Sequence, residues 1–222
     1  MHRMDVGSLE RSLYVARFLK GVSVLNKRWR DQPMLDFGAG DGVLVRHLRD
    51  RGLQIRYSDP FATPIFYVGD AVNEDDNFEL SILSEVALHF VDPLQEFKSL
   101  LERSNQILFT AVKAPEKFDE NWWYLMKSTG QHVAFYSKKS IDQLAKEFGC
   151  HSYGKGSFFH MISKEKIAWK IRLCLRYPAV PVALGLISEI VHYGQRALGK
   201  VVSLTEHDQE VIEELLQLER KN

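Results

Sequence analysis

The sequence predicts a doubly wound α/β fold, in which a mostly parallel, seven-stranded sheet has helices on both faces. Short apolar segments alternate with amphipathic helical ones between residues 33 and 163, and a glycine-rich turn directly follows the first of them. From residue 164 onward the pattern is helical only. With 222 residues, 45% of them hydrophobic, the chain can bury one core. We therefore expect one domain over residues 1–163 and a helical C-terminal extension, residues 164–222, packed on the same domain.

The predicted strands are short apolar segments that end at turn residues such as glycine, proline and aspartate. Their alternation with helices is typical of a Rossmann-like sheet with right-handed crossovers. The last two strands lie on either side of Gly154 and Gly156, which predicts an antiparallel hairpin. In chain order the predicted strands are residues 33–37, 54–58, 66–68, 78–83, 106–111, 151–155 and 158–163.

The predicted helices are recognised by apolar spacing and by capping residues. An opening helix is expected over residues 8–29, with Ser8 as its N-cap. Ser203 and Glu206 spell a capping box before a last helix, whose apolar stripe consists of Val211, Ile212, Leu215 and Leu216. Between the strands, the predicted helices are residues 42–49, 93–102 and 140–148.

Composition excludes several classes of protein. Lys and Arg total 29 and Asp and Glu total 29, so we expect no nucleic-acid partner that relies on a strong overall positive field, although the balance leaves a local basic patch open. Cys150 and Cys174 form no CxxC or CxxH motif, which argues against a disulfide scaffold or a zinc module and favours a reducing cytoplasm. Asp5, Glu10 and Arg17 interrupt any signal peptide, and no apolar stretch approaches the ~20 residues of a membrane span. We expect a soluble, cytoplasmic protein.

The glycine-rich turn, residues 36–42, is the most informative motif. A strand that leads through glycines into a helix brings backbone N–H groups close to a ligand, because glycine has no Cβ. A phosphate-binding P-loop would need Gly-Lys-Ser/Thr, which is missing, and a dinucleotide fingerprint would need glycine where Val43 stands. The spacing is G-x-G-x-G, with Asp36 two residues before the first glycine. That carboxylate would repel a pyrophosphate and would suit a ligand with an ammonium and a sulfonium group.

This motif resembles the first motif of the class I S-adenosylmethionine-dependent methyltransferases, (D/E)-x-G-x-G-x-G, at every fixed position. The resemblance covers roughly residues 30–163 and includes Leu83 to Pro93, although Leu88 stands where the family has glutamate. It implies a methyltransferase with S-adenosylmethionine as cofactor. No HExxH, His-x-His or clustered carboxylate set in the sequence indicates a metal. In that family the glycines pass under the methionine part of the cofactor, and the acid helps to hold its amino group.

The same resemblance implies roles for residues after the next two strands. Asp59 would bind the ribose hydroxyls, Asp70 would meet the adenine amino group, and Phe61 would pack on the adenine. A carboxylate about 20 residues beyond the glycines is also what a ribose needs in nucleotide-binding sheets generally. The alternative is a structural turn with solvated acids. The implied cofactor residues are Asp36, Gly38, Ala39, Gly40, Gly42, Asp59, Pro60, Phe61, Asp70, Ala71, Ser84 and Glu85.

The segment over residues 121–140 has an unusual density of aromatic side chains for a loop. It follows a predicted strand, so it should lie over the carboxyl ends of the strands, where open α/β sheets bind ligands. It resembles a segment of bacterial methyltransferases that accompany glycan and lipopolysaccharide assembly, which implies a sugar or glycan hydroxyl as acceptor. The alternative is that the aromatic residues only anchor a lid to the core. The predicted substrate contacts are Trp122, Trp123, Tyr124, Gln131 and Tyr136.

Methyl transfer from a sulfonium is an in-line displacement, for which positioning and exclusion of water do most of the work. A base is needed only if the acceptor is a hydroxyl or a protonated amine, and His132 and His89 are the candidates because their loops adjoin the predicted site. A purely structural role for both histidines is the alternative. An amine or a phenolic, quinone-like acceptor, or a catalytically silent binding subunit of the same fold, also stays open.

Residues 164–176 form a basic amphipathic segment. Such a helix either packs on the domain or a second subunit with its charges solvated, or contacts an anionic membrane peripherally. The sequence favours packing and leaves the oligomeric state open. The basic residues on which this rests are Lys166, Lys170, Arg172 and Arg176, and the apolar ones are Trp169, Ile171, Leu173 and Leu175.

Overall fold

The computed structural model describes residues 7–67, 72–73, 75–117, 119–154 and 158–200, together with Glu213 and Gln217. Helices and strands alternate through most of this part of the chain. The helices are α1 (Gly7–Leu25), α2 (Lys27–Asp31), α3 (Val43–Asp50), α4 (Pro93–Arg103), α5 (Lys138–Glu147), α6 (Trp169–Arg176) and α7 (Ala179–Ala197). The strands are β1 (Met34–Phe37), β2 (Ile55–Ser58), β3 (Phe78–Ser84), β4 (Ser104–Thr110), β5 (His151–Tyr153) and β6 (Phe159–Ser163).

The strands form one sheet in the order β2-β1-β3-β4-β6-β5. The four strands β1 to β4 run parallel, and β6 runs antiparallel to both β4 and β5, which confirms the predicted closing hairpin. Asp36 pairs in register with Tyr57 on one side and Ile82 on the other. The carboxyl ends of β1, β2, β3 and β4 therefore meet at one edge of the sheet, called the carboxyl edge below.

Two hydrophobic cores lie on opposite faces of the sheet. One contains buried residues of α1, α3 and α6, among them Phe18, Leu48 and Ile171. The other contains residues of α4 and α5, such as Phe97 and Ile141. Helices on both faces of a mostly parallel sheet confirm the predicted doubly wound α/β class.

The described sheet has six strands, not the predicted seven. Residues 66 and 67 are irregular, because the N–H groups of Ile65 and Phe66 both donate to the Asp41 carbonyl oxygen and so tie this segment to the glycine turn. Val68, the end of that predicted strand, lies outside the described residues. An apolar tripeptide has the composition of a strand, but its hydrogen bonds go to a loop.

The predicted opening helix is divided into α1 and α2 at Asn26. The Asn26 side chain accepts a hydrogen bond from the Arg28 N–H and so acts as the N-cap of α2. The helix also begins one residue earlier than predicted, at Gly7, so Ser8 lies inside its first turn and is not the cap. The predicted capping box of Ser203 and Glu206 and the stripe that follows it lie outside the described residues.

The described part of the C-terminal extension packs against α1. A Cβ atom at Gly21 of α1 would overlap the Pro181 carbonyl oxygen, and one at Gly185 of α7 would overlap the Arg17 carbonyl oxygen, so the two backbones meet at glycines. Glu189 of α7 forms ion pairs with Arg17 at 3.2 Å and with Arg51 at 2.8 Å. The division between residues 163 and 164 stays a prediction.

Among the described helices, none is by itself long and apolar enough to cross a membrane. Helices α6 and α7 have sufficient length and apolar composition only as a pair, and they meet at 99°.

Candidate active site

The glycine turn between β1 and α3 depends on backbone conformations that side chains rarely adopt. Gly38, Gly40 and Gly42 have φ angles of 75°, 55° and 80°. A Cβ atom at Gly38 would lie 2.6 Å from the Val86 side chain, and one at Gly42 would lie 2.7 Å from Pro64. A Cβ atom at Gly40 would have no described heavy atom within 4 Å. Two of the glycines are therefore required by the protein's own packing, while Gly40 borders open space that a ligand can use.

Asp36, at the carboxyl edge in β1, is a buried acid with incomplete hydrogen bonding. Asp36 is 2% exposed, and its Oδ2 atom has no hydrogen-bond partner among the described residues. Burial, and secondly the nearby Asp59 carboxylate, raise the pKa of Asp36 to about 7. A buried carboxylate without a partner is destabilising, and a cationic group placed beside it would favour its charged form.

Asp59, after β2, holds the glycine turn in place. Its Oδ2 accepts a hydrogen bond from the Gly40 N–H at 2.8 Å, and its Oδ1 accepts from the Phe61 and Ala62 N–H groups at 2.8 and 2.9 Å. A carboxylate oxygen can accept about two hydrogen bonds, so the remaining capacity is mainly at Oδ2. Sequence reasoning did not foresee these three backbone contacts, since it assigned Asp59 to a ligand only.

A cavity of about 240 Å³ opens beside Asp59, lined also by Tyr57, Ser58, Ala62, Thr63, Pro64 and Val72. Of the other predicted cofactor residues, Ala39 lies in the glycine turn, where its carbonyl oxygen accepts from the Gly42 N–H. Pro60 is exposed and Phe61 is 97% exposed, so both are accessible to a ligand. Asp70 and Ala71 lie outside the described residues.

A second turn follows β3, which ends at Ser84. Glu85 has a φ of 59°, an uncommon angle for a residue with a side chain, and its N–H donates to Thr110 Oγ1 at 2.8 Å. The Tyr124 hydroxyl donates to Glu85 Oε2 at 2.6 Å, while the buried Oε1 has no partner in the described structure. Burial, with the Glu85 carboxylate, raises the pKa of Tyr124 far above its ordinary value. Tyr124 therefore stays a protonated donor that orients Glu85.

The structure brings the two predicted histidines together beside this turn. His132 Nδ1 lies 2.7 Å from the Tyr124 carbonyl oxygen, and His89 Nδ1 lies 2.8 Å from the Gln131 carbonyl oxygen. Because a carbonyl oxygen can only accept, we assign the proton of each neutral ring to Nδ1, which leaves Nε2 as the proton acceptor. The two rings are 5.4 Å apart, and the His132 ring is 4.8 Å from the Tyr124 ring. His132 is half-buried, whereas His89 is exposed.

The predicted substrate residues do not all lie in one place. The half-buried Trp122 packs on Tyr124, with ring centroids 5.4 Å apart, while Trp123 is exposed beside it. Gln131 is exposed and contributes its carbonyl oxygen to His89. Tyr136 differs, because it is buried in the core of α4 and α5 and its hydroxyl donates to the Ala87 carbonyl oxygen. With its ring packed and its hydroxyl paired, Tyr136 is not placed with the other predicted substrate contacts.

An open α/β sheet with a glycine turn and acids at its carboxyl edge defines a nucleoside-binding domain of the doubly wound class. A sequence model of the family described as "Methyltransferase domain" matches residues 12–152, and the chain belongs to this family. This match confirms the predicted resemblance to the class I S-adenosylmethionine-dependent methyltransferases at the level of the superfamily. No curated protein sequence matches this chain significantly.

Solved structures of methyltransferases have the same fold. One is CalO1, a methyltransferase in calicheamicin biosynthesis, in an SAH-bound form, with 14% identity, a TM-score of 0.52, and coverage of 73% of this chain and 55% of that one. Another is an O-methyltransferase family protein from Burkholderia thailandensis, with 10% identity, a TM-score of 0.53, and coverage of 71% and 58%. The matched region thus spans little more than half the length of these two proteins, and at such identities the similarity shows the fold alone.

Proposed function

We propose that this protein transfers the methyl group of S-adenosylmethionine to a hydroxyl group of a small-molecule or glycan acceptor. The main support for a hydroxyl acceptor is the position of His132, which contacts Tyr124 beside the turn after β3 and has Nε2 as its proton acceptor. Val86 of that turn lies against Gly38 of the glycine turn. A hydroxyl group must lose its proton during methylation, and a neutral imidazole can take it near neutral pH. One of the compared structures is of an O-methyltransferase family protein, which agrees with this acceptor class.

S-adenosylmethionine, the cofactor of this superfamily, supplies a methyl group on a positively charged sulfur. The residues of the glycine turn fit such a ligand in charge and in space. Asp36 offers a buried oxygen without a partner, to which a cationic group would be complementary. Gly40 borders open space, and Asp59 retains hydrogen-bonding capacity at Oδ2 for a ribose hydroxyl. We infer that these three residues hold the cofactor.

The acceptor would lie between the glycine turn and the two histidines. Glu85 Oε1 is buried and unpaired in the described structure, so it can accept a hydrogen bond from a second hydroxyl of the acceptor. Tyr124 fixes the Glu85 carboxylate through its other oxygen. The acceptor oxygen would form its bond to the methyl carbon as the bond from that carbon to sulfur breaks, so the demethylated cofactor is the leaving group. The hydroxyl proton would pass to His132 Nε2. Trp122 and Trp123 would supply an apolar wall that excludes water.

Two measurements on the purified chain test this function. Calorimetry should show micromolar-range binding of S-adenosylmethionine and of its demethylated product, and no binding of NAD. Mass spectrometry should then detect methyl transfer to acceptors presented as matched pairs that differ only in a hydroxyl or an amine. Transfer to the hydroxyl members alone is the expected result. Transfer to the amine members alone would overturn the acceptor class, and NAD binding without S-adenosylmethionine binding would overturn the cofactor.

A further inference from the structure

The outer side of α6 has an apolar surface without a described protein partner. Trp169 and Leu173 are 60% and 45% exposed, and Val180 at the start of α7 is 56% exposed. Trp169 and Leu173 are four residues apart in α6, so they lie on one side of the helix, and Tyr177 follows directly after its end. We call the surface formed by Trp169, Leu173, Tyr177 and Val180 the α6 ridge. The opposite side of the helix is buried in the core of α1 and α3, through Ile171, Cys174 and Leu175.

Grooves of different chemical character flank the α6 ridge, and Trp169 and Leu173 line both of them. An apolar groove of about 330 Å³ is lined by these residues with Leu25, Lys170, Cys174, Tyr177 and Val180. A basic groove of about 530 Å³ contains Lys138, Arg172 and Arg176, and Asp142 is the only acid among the described residues that line it. The Asp142 carboxylate already accepts a hydrogen bond from the Ser152 hydroxyl.

Positive charge is concentrated here although the whole chain has a formal net charge of zero. From Lys164 to Arg176 the sequence contains five basic residues and a single acid, Glu165. Glu165 pairs with Arg28 at 3.0 Å, so its charge is offset locally. An anionic partner is therefore complementary to this surface.

We propose that the α6 ridge binds the surface of an anionic lipid bilayer. Trp169, Leu173 and Tyr177 would enter the boundary between headgroups and acyl chains, which tryptophan and tyrosine favour. Lys138, Lys170, Arg172 and Arg176 would meet the lipid phosphates. A second copy of this chain on a two-fold axis would oppose one basic surface to another, so a bilayer with anionic headgroups is the better match.

Vesicle flotation with the full chain tests this proposal, and the readout depends on neither cofactor nor acceptor. The wild-type chain should float with vesicles of phosphatidylglycerol and phosphatidylcholine, and should stay behind with phosphatidylcholine alone. Each basic residue near an anionic surface contributes about a fivefold factor in partitioning, so Lys170→Glu with Arg176→Glu should lower the partition coefficient, obtained from recovery at several lipid concentrations, by roughly 25-fold or more. Trp169→Ala with Leu173→Ser should also reduce it, while leaving the positive charge unchanged.

Matched controls are available on α4 and at the C-terminal end of α5, the end away from Lys138. Lys98→Glu with Lys146→Glu makes the same change in net charge, and Leu94→Ser removes an exposed apolar side chain, so both should float like the wild type. No recovery with anionic vesicles, or an equal loss in the controls, would overturn the proposal. A dimer mass by light scattering that falls to the monomer mass in the Trp169→Ala, Leu173→Ser variant, without vesicle recovery, would overturn it in favour of a second copy.

Discussion

The turns after β1 and β3 lie side by side at the carboxyl edge. Each has an acid with one buried oxygen that is unpaired in the described structure, but the two acids are held differently. The β1 turn is built from glycine backbone, and its Asp36 is buried with one oxygen unpaired. The β3 turn is built from side chains, and its Glu85 is held by Tyr124 and by the backbone bond to Thr110. Asp36, a buried carboxylate without a described partner at one oxygen, is suited to bind a cation. Glu85, whose other oxygen is fixed by Tyr124, is suited to position an acceptor. We therefore assign cofactor binding to the β1 turn and acceptor chemistry to the β3 turn.

The largest effect on activity should come from substituting a histidine beside the β3 turn. His132→Gln removes the proposed proton acceptor, so kcat should fall by a factor of roughly 100 to 10,000, the usual contribution of a general base. Calorimetric affinity for S-adenosylmethionine should stay within about twofold, because His132 is assigned to the acceptor side. His89→Gln should cost less than about tenfold in kcat, since His89 is exposed and is bonded to Gln131. Equal losses in both variants would contradict the separate roles of the histidines.

The unpaired carboxyl of Asp36 should make the stability of the ligand-free chain depend on pH. Its pKa is about 7 in the folded chain against 3.8 for the ordinary group. Between these values the folded chain keeps a proton that the unfolded chain has released, so the free energy of unfolding should fall as the pH rises from 4 to 7. By this shift in pKa, the free energy of unfolding should be lower above pH 7 than below pH 4 by about 4 kcal/mol.

Asp36→Asn cannot ionise, so this part of the pH dependence should be absent from its unfolding curves. The measurement is denaturant unfolding of the wild type and Asp36→Asn at several pH values, compared as a difference to cancel the other acids. Binding of S-adenosylmethionine at pH 6 should release a proton in the wild type only, which calorimetry in buffers of different ionisation enthalpy detects. Parallel unfolding curves for the two proteins would show that Asp36 does not titrate in this range.

Asp59, which follows β2, tests whether the β1 turn depends on a carboxylate from outside the turn. Asp59→Ala removes three hydrogen bonds from backbone N–H groups and the carboxylate proposed to bind the ribose. It should weaken S-adenosylmethionine binding by roughly 1–3 kcal/mol in calorimetry. Asp41→Ala is the control, because Asp41 is exposed in the same turn and contacts Ile65 and Phe66 through its backbone oxygen. Its affinity should match the wild type. Unchanged affinity in Asp59→Ala would remove Asp59 from the cofactor site.

The two turns also differ in how far sequence could predict them. The β1 turn is specified by consecutive residues, because left-handed angles require glycine at fixed spacing. The contacts of the β3 turn join residues far apart in the chain. Tyr124 is 39 positions from Glu85, and His89 is 42 positions from Gln131. Sequence placed both histidines on loops at the carboxyl edge, but it could not identify Tyr124 as the partner of Glu85 or assign Tyr136 to the core.

The same limit explains the error in the strand count and the uncertainty over α6. A short apolar segment does not reveal whether its N–H groups pair with a strand or, as for Ile65 and Phe66, with a loop carbonyl. The amphipathic pattern of α6 correctly indicates one packed side. It cannot show that Trp169 and Leu173 are left exposed between an apolar and a basic groove, since those grooves are also lined by α1, α5 and β5.

The smallest expected effect comes from substituting glycines. It distinguishes Gly40, which we expect to border the cofactor, from Gly52, which only allows a left-handed backbone angle. Gly40 and Gly52 both have positive φ angles, 55° and 73°, and a Cβ atom at either would have no described heavy atom within 4 Å. Gly40→Ala and Gly52→Ala should therefore each lower the free energy of unfolding by roughly 1–2 kcal/mol, the cost of a left-handed alanine. Only Gly40→Ala should also weaken S-adenosylmethionine binding, because its methyl group would enter the space beside Asp36 and Asp59. If both variants bind the cofactor like the wild type in calorimetry, the open space at Gly40 is not part of the cofactor site, and the β1 turn is shaped by the fold alone.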